Sequence, residues 1–192
     1  MKDKFIFNIP NILSAYRLVM FPVILVFMYF GKENLFVIFL CISLVTDILD
    51  GFIARTFNMV TELGARLDSL ADTGTYILAI TGVFMYKYNE FEPYLISFIS
   101  FISLFVISHV IPLIRYKRLP SFHLYSWKVG GYIQGFFFFT LFVFDFYPAF
   151  YIFMATWGIT AFLEHIVIQF VIKGLRSNVK GLYWVLKEQK AN

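Results

Sequence analysis

Long apolar stretches alternate with short polar or proline-containing connections along the chain. About 20 residues of helix cross the hydrocarbon core of a bilayer, at about 1.5 Å per residue. Six stretches are close to this length, namely 13–30, 35–55, 64–88, 94–114, 129–144 and 149–172. The pattern predicts an all-α membrane protein with six transmembrane helices.

The two ends of the chain differ from these apolar stretches. Residues 3–9 mix charged with large apolar side chains, which is typical of a short segment that lies in the membrane interface. The tail after residue 172 is rich in Lys and Arg. There is no tandem repeat and no low-complexity linker, so residues 1–192 are predicted to form a single domain.

Composition supports the membrane assignment. Of the 192 residues, 60% are hydrophobic, 21% are aromatic and only 15% are charged, which is too apolar for a soluble domain of this length. The net charge of +4 does not indicate a nucleic-acid partner, because the basic residues are scattered near the ends of the apolar runs. Cys41 is the only cysteine, so no intrachain disulfide can form and the redox compartment is not determined.

The distribution of Lys and Arg predicts the orientation. Six spans place both termini on the same side of the membrane. Of the 16 Lys and Arg residues, only Lys32 and Lys87 fall in connections on the opposite side, which leaves 14 on the side of the termini. Because basic residues are retained in the cytoplasm, both termini are predicted to be cytoplasmic.

Four aspartates stand out within this apolar sequence, because a charge near the membrane requires a partner or a function. The last turns of the second span carry small residues beside two acids on one helical stripe, at Asp47, Asp50, Gly51 and Ala54. A second stripe opens the third span, at Gly64, Asp68 and Asp72. If the stripes face each other, four carboxylates converge at the cytoplasmic interface, and the small residues leave room for a ligand.

Four converging carboxylates repel one another unless cations neutralise them. Oxygen ligands near water suit Mg²⁺ or Mn²⁺, and a pair of such ions stabilises charge on both sides of a displacement at phosphorus. Arg55 and Arg66 flank the acids and are candidates for binding phosphate oxygens. The structural alternative is that Arg17, Arg55 and Arg66 pair with the acids to lock helices together, but this explains neither the spacing nor the small residues.

The segment 47–72 resembles the complete signature of the CDP-alcohol phosphotransferase (CDP-alcohol phosphatidyltransferase) family. Its pattern is Asp47-x2-Asp50-Gly51-x2-Ala54-Arg55-x8-Gly64-x3-Asp68-x3-Asp72. Residues 8–17 and the following Pro22 resemble the start of bacterial phosphatidyltransferases. The resemblance covers the whole chain and implies an integral membrane enzyme of phospholipid synthesis, commonly a homodimer, in the bacterial inner membrane.

The resemblance also implies a reaction and roles for residues. A phosphatidyl or other phosphoalcohol group passes from a CDP-linked donor to an alcohol, and CMP is released. The four aspartates match the positions that hold two metal ions, and Asp72 also matches the proposed general base. The positions around the CDP group are matched by Asp50, Gly51, Ala54, Arg55 and Gly64.

The acceptor is recognised outside the signature. Glycerol 3-phosphate is the favoured acceptor, while inositol or its phosphate, serine and phosphatidylglycerol stay open, as does a non-lipid donor with a lipid acceptor. Candidate phosphate-binding residues are Arg66, Arg115 and Lys128. The stretch from Lys128 to Gln134 is loosely similar to phosphatidylglycerophosphate and cardiolipin synthases, although it lacks their intervening Lys-Thr.

Three further ionisable residues lie within predicted spans, and such groups are functional candidates by default. His109 is predicted to be a hydrogen-bonded interhelical residue and Glu164 to pair with a neighbouring helix, while the role of His165 is open. No partner is evident for His123 in the basic connection.

Two other functions compete with the phosphotransferase hypothesis. An aspartate-rich membrane prenyltransferase also binds diphosphate through Mg²⁺, but its aspartates are arranged differently. A cation transporter with an acidic ion path is the alternative from another class. Transporters place such acids near the bilayer midplane, whereas these four are predicted near one face.

Overall fold

The computed structural model describes residues 8–117, 124–172 and 179–191, and all regular secondary structure within them is helical. The helices are α1 (Ile9–Tyr29), α2 (Glu33–Thr56), α3 (Glu62–Tyr86), α4 (Tyr88–Phe91), α5 (Leu95–Tyr116), α6 (Tyr125–Val143), α7 (Pro148–Val171) and α8 (Leu182–Ala191). A 3₁₀ turn, Glu92–Tyr94, links α4 to α5. Most of the predicted interfacial segment 3–9, and His123, lie outside the described residues.

Four helical stretches are long and apolar enough to cross a membrane: α1, α2, Tyr88–Arg115 and α7. Helices α3 and α6 are also long, at 25 and 19 residues, but they are not among the stretches that are apolar enough by composition. The all-helical membrane class is therefore supported, and the count of six spans stays a prediction.

The chain divides into two compact units, Met1–Glu90 and Phe91–Asn192. In the first unit, α1 packs against both α2 and α3. Helix α1 begins at Ile9, four residues before the predicted span, because the Asn8 side chain caps it by accepting a hydrogen bond from the Asn11 N–H (2.9 Å). The helix continues through Pro22, as membrane helices tolerate.

In the second unit, α7 packs against α5, α6 and α8. Gly158 of α7 permits the close approach of α5, since a Cβ there would lie 2.3 Å from the Phe101 ring. Helix α6 begins at Tyr125, four residues before the predicted start, so Lys128 lies within its first turns. That one domain covers both units stays a prediction.

Helix α8 was not predicted from the sequence. It packs on an apolar cluster that joins the start of α6 and the end of α7, made by Leu124, Ile168, Ile172, Val179 and Val185. The tail contains basic, polar and apolar residues without a long apolar run. Only the spacing of Val179, Leu182 and Val185 indicates a buried helical face.

Candidate functional site

The four signature aspartates converge on one guanidinium group, that of Arg17 in α1. Its Nη1 donates to Asp47 Oδ1 (2.8 Å) and to Asp72 Oδ1 (2.7 Å). Its Nη2 donates to Asp50 Oδ2 (2.8 Å) and to Asp68 Oδ1 (2.7 Å). Each terminal nitrogen thus joins one acid of α2 to one acid of α3, so the condition that the two stripes face each other is met through Arg17.

One side of the aspartate cluster is buried and the other side is exposed. The side chains of Arg17 and Asp50 are only 1% and 3% exposed. Those of Asp47, Asp68 and Asp72 are 41%, 42% and 40% exposed. A ligand can therefore reach three of the four carboxylates from outside, while Asp50 and Arg17 lie beneath them.

The acids provide a donor set that suits a divalent cation. Asp47, Asp50 and Asp68 each offer a carboxylate oxygen, and these oxygens lie within 4.8 Å of one another. Hard carboxylate oxygens are the ligands that Mg²⁺ and Mn²⁺ prefer. Asp72 is not part of this set, although it shares the Arg17 Nη1 with Asp47.

Helix α1 supplies polar residues that sequence reasoning did not assign to the site. Ser14 is buried and donates to Asp50 Oδ2 (3.0 Å), on the same oxygen that accepts from Arg17. Asn11 is also buried. The signal in the sequence is the set of polar residues Asn11, Ser14 and Arg17, three apart in a largely apolar helix, which places them on one broad face of α1.

The start of α3 approaches α1 closely at Gly64. Asn11 Nδ2 donates to Thr61 Oγ1 (3.3 Å), and Thr61 Oγ1 caps α3 by accepting from the Gly64 N–H (2.9 Å). A Cβ on Gly64 would clash with Asn11 Oδ1 and Thr61 Oγ1, so any larger residue requires these two side chains to shift. The signature glycine therefore has a packing role, in addition to the CDP-binding role that the resemblance implies.

The other predicted CDP-binding residues lie on α2 beside the acids. The Arg55 guanidinium lies over Gly51, where a Cβ would be 3.2 Å from both terminal nitrogens. Arg55 itself is exposed, and Gly51 and Ala54 are half-buried. The small residues thus place no bulky side chain next to Asp50, and the Arg55 side chain overlies Gly51.

The candidate acceptor-binding residues have different surroundings. Arg66 is 74% exposed and forms an ion pair with Glu62, one turn earlier on α3. In the second unit, Arg115 Nη1 donates to the Gln169 carbonyl (2.7 Å), and Lys128 is exposed on α6. Arg66 is thus the candidate that belongs to the same unit as the aspartates.

The ionisable residues of α5 and α7 take part in local hydrogen bonds. Glu164 accepts from Ser126 Oγ of α6 and from the Leu182 N–H of α8 (2.9 Å), which confirms the predicted pairing with a neighbouring helix. His109 Nδ1 lies 2.9 Å from the Phe105 carbonyl of its own helix, while its ring contacts Trp127 at 5.2 Å between centroids. His165 is buried against the same Trp127 ring.

Comparison with known proteins identifies related sequences. A family model described as CDP-alcohol phosphatidyltransferase matches residues 7–172. Relatives named CDP-diacylglycerol–glycerol-3-phosphate 3-phosphatidyltransferase include those of Salmonella choleraesuis (38% identical over 69 residues), Cereibacter sphaeroides (37% over 93) and Aquifex aeolicus (32% over 124).

The extent of these matches varies. They involve 34%, 46% and 62% of this chain, respectively. They cover 38%, 41% and 67% of the three relatives' own lengths.

Proposed function

The chain belongs to the CDP-alcohol phosphatidyltransferase family, and from this premise we propose that it transfers a phosphatidyl group from CDP-diacylglycerol to glycerol 3-phosphate, with release of CMP. The observation that carries the proposal is the convergence of the four signature aspartates at a site that is open on one side. The activity for which the relatives are named favours glycerol 3-phosphate over inositol, serine or phosphatidylglycerol as acceptor.

Two divalent cations, Mg²⁺ or Mn²⁺, are part of the proposal. Asp47, Asp50 and Asp68 fit a first ion through their clustered oxygens, and Asp72 completes the ligand set for the pair. Bound there, the ions offset the charge of the donor diphosphate and of the departing CMP. Asp50 is held in position by Ser14, so its carboxylate is oriented before the donor arrives.

Asp72 is proposed as the general base. The acceptor hydroxyl oxygen attacks the phosphorus of the phosphatidyl group, the P–O bond to CMP breaks, and the hydroxyl proton passes to the Asp72 carboxylate. At 40% exposure, the Asp72 side chain can be reached by a soluble alcohol. General-base catalysis of this kind typically contributes about 10²–10⁴ in rate.

Substrate binding is assigned to the polar residues near the open side. The signature residues Gly51, Ala54 and Gly64 are proposed to bind the cytidine diphosphate, with Arg55 on its phosphates. Arg66 is proposed to bind the phosphate of glycerol 3-phosphate after leaving Glu62, and Lys128 and Arg115 are further candidates. The donor's acyl chains remain in the bilayer.

The proposed setting follows from the sequence pattern. The protein is integral to a bacterial cytoplasmic membrane, with the aspartates and both termini on the cytoplasmic side, where CDP-linked donors and glycerol 3-phosphate are accessible. A homodimer is proposed from the family resemblance.

The decisive experiment uses the purified full-length protein with Mg²⁺ or Mn²⁺ and CDP-diacylglycerol. A panel of acceptors contains glycerol 3-phosphate, inositol, inositol phosphate, serine and phosphatidylglycerol, and both CMP and the lipid product are measured. We expect CMP release with glycerol 3-phosphate, loss of turnover in EDTA and its return with added metal. Absence of CMP release with every acceptor contradicts the proposal, and cation flux without a CDP-lipid favours the transporter.

A further inference from the structure

We propose that Arg17 is an internal counter-cation of the aspartate cluster, which competes with divalent cations for the same carboxylate oxygens. The inference rests on the metal dependence in the proposed function and adds a role for a residue outside the signature. Arg17 thereby sets how tightly the site binds metal, in addition to bridging helices.

The contacts of Arg17 indicate that it and a divalent cation compete for the same carboxylate oxygens. All four aspartates accept a hydrogen bond from its guanidinium at 2.7–2.8 Å, two from each terminal nitrogen. A Mg²⁺ ion binds carboxylate oxygens at about 2.0–2.1 Å. An ion bound to an oxygen that also accepts from Arg17 would lie close to the guanidinium, and the two positive charges would repel each other. An oxygen that binds the ion must therefore release Arg17, or the ion must use the other oxygen of the same carboxylate.

The charges of the site point in the same direction. Four carboxylates carry a formal charge of −4, and Arg17 reduces it to −3. Because the Arg17 side chain is 1% exposed, water screens this positive charge little. Removal of the guanidinium should therefore strengthen the attraction of the site for a divalent cation.

The way in which Arg17 is held permits its displacement. Its Nε–H has no hydrogen-bond partner among the described residues, so within them the guanidinium is held through its two terminal nitrogens. Asp50 keeps a hydrogen bond from Ser14 when Arg17 moves. Asp50 thus remains oriented after a divalent cation replaces Arg17.

Competition and a purely structural role predict opposite effects of removing the guanidinium. If Arg17 only builds the site, Arg17→Gln loosens the aspartates and weakens metal binding. If Arg17 competes, the same change tightens metal binding and lowers stability when metal is removed. The sign of the change in metal affinity therefore separates the two roles.

The test measures Mn²⁺ binding to the full-length protein in detergent by electron paramagnetic resonance, without donor or acceptor. Arg17→Gln is expected to bind Mn²⁺ about tenfold more tightly, since one buried positive charge is lost. Arg17→Lys keeps the charge but cannot bridge four carboxylates, so a smaller increase is expected. Lys32→Gln removes one positive charge from an exposed position of the same unit, and its affinity should stay within about twofold of wild type.

Thermal unfolding in EDTA and with added Mn²⁺ is the second readout. Arg17→Gln should unfold at a lower temperature in EDTA and gain more from Mn²⁺ than the wild type. If this variant does not fold, Arg17→Lys carries the test. Unchanged or weaker Mn²⁺ binding by the Arg17 variants overturns the inference alone, while a wild-type protein that binds no Mn²⁺ overturns both the inference and the proposed metal dependence.

Discussion

Arg17 and Asp50 form the buried part of the site, and the other three aspartates form its exposed part. Asp50 accepts from both Arg17 and Ser14, so its carboxylate is fixed, whereas Asp47, Asp68 and Asp72 reach the open side. A buried charge of either sign is costly without its partner. Arg17 and Asp50 therefore stabilise each other at the buried side of the site.

Asp72→Asn is expected to remove nearly all turnover, by about 10²–10⁴-fold, because the amide cannot take the acceptor proton. The amide has the same shape as the carboxylate, so folding and donor binding should stay measurable. CMP release and binding of a CDP-linked donor are compared for the variant and the wild type.

Asp145→Asn is the matched control for this substitution, because Asp145 is exposed and its side chain accepts from the neighbouring Phe146 N–H. The control should keep wild-type turnover. Wild-type CMP release by Asp72→Asn itself would show that Asp72 is not the base.

Gly64→Ala tests the close approach of α3 to α1. Its Cβ would clash with Asn11 Oδ1 and Thr61 Oγ1, so these side chains must shift and weaken the hydrogen bonds they make, at a cost of about 1–3 kcal/mol in the free energy of unfolding. Gly131→Ala in α6 is the control, because a Cβ there meets nothing within 4 Å and alanine favours the helix. Thermal unfolding should show a loss for the first variant and none for the second, and equal stability would refute the packing role.

At the scale of elements, Glu164 connects three helices of the second unit. From α7 it accepts a hydrogen bond from Ser126 of α6 and another from the N–H of Leu182, at the start of α8. A carboxylate at a helix N-terminus also interacts favourably with the helix dipole. Glu164 is a functional candidate in the sequence because it lies within a predicted span, but in the structure it docks α8.

Glu164→Ala should release α8 from α7. Two donors lose their acceptor, at about 1–3 kcal/mol for a buried group left unpaired. Hydrogen exchange of peptides that contain residues 182–191 should become faster, while peptides from α1 to α3 stay unchanged. Glu92→Ala, at an exposed position of the 3₁₀ turn, should leave exchange in α8 unaffected. Unchanged protection of α8 in Glu164→Ala would mean that the apolar cluster alone docks it.

At the scale of the whole molecule, the orientation in the membrane is predicted from the charges alone. The connection between α2 and α3 should be cytoplasmic and the connection between α1 and α2 external. Single-cysteine variants in a Cys41→Ser background, Val60→Cys and Lys32→Cys, report on the two sides, since both positions are exposed.

A membrane-impermeant maleimide should label the Lys32→Cys variant in intact spheroplasts. The Val60→Cys variant should be labelled only after the membrane is opened. The reverse pattern would place the aspartates outside the cell and contradict the proposed access to CDP-linked donors.

The sequence by itself determined the helical membrane class, the approximate bounds of the helices and the membership of the family. These properties depend on local spacing. Apolar runs of about 20 residues form membrane helices wherever they occur. A period of 3.6 residues places acids three or four apart on one stripe. The two aspartate stripes were therefore predictable from 47–72 alone.

Only the tertiary structure decided which cation meets the four carboxylates, how Gly64 is used and where Glu164 finds its donors. The Arg17 contacts join residues 30 to 55 positions apart, and the Glu164 contacts span 38 and 18 positions. The sequence alone offers three arginines as partners for the acids, Arg17, Arg55 and Arg66. The choice among them depends on how α1 packs between α2 and α3, because only a buried guanidinium at that depth reaches both helices at once.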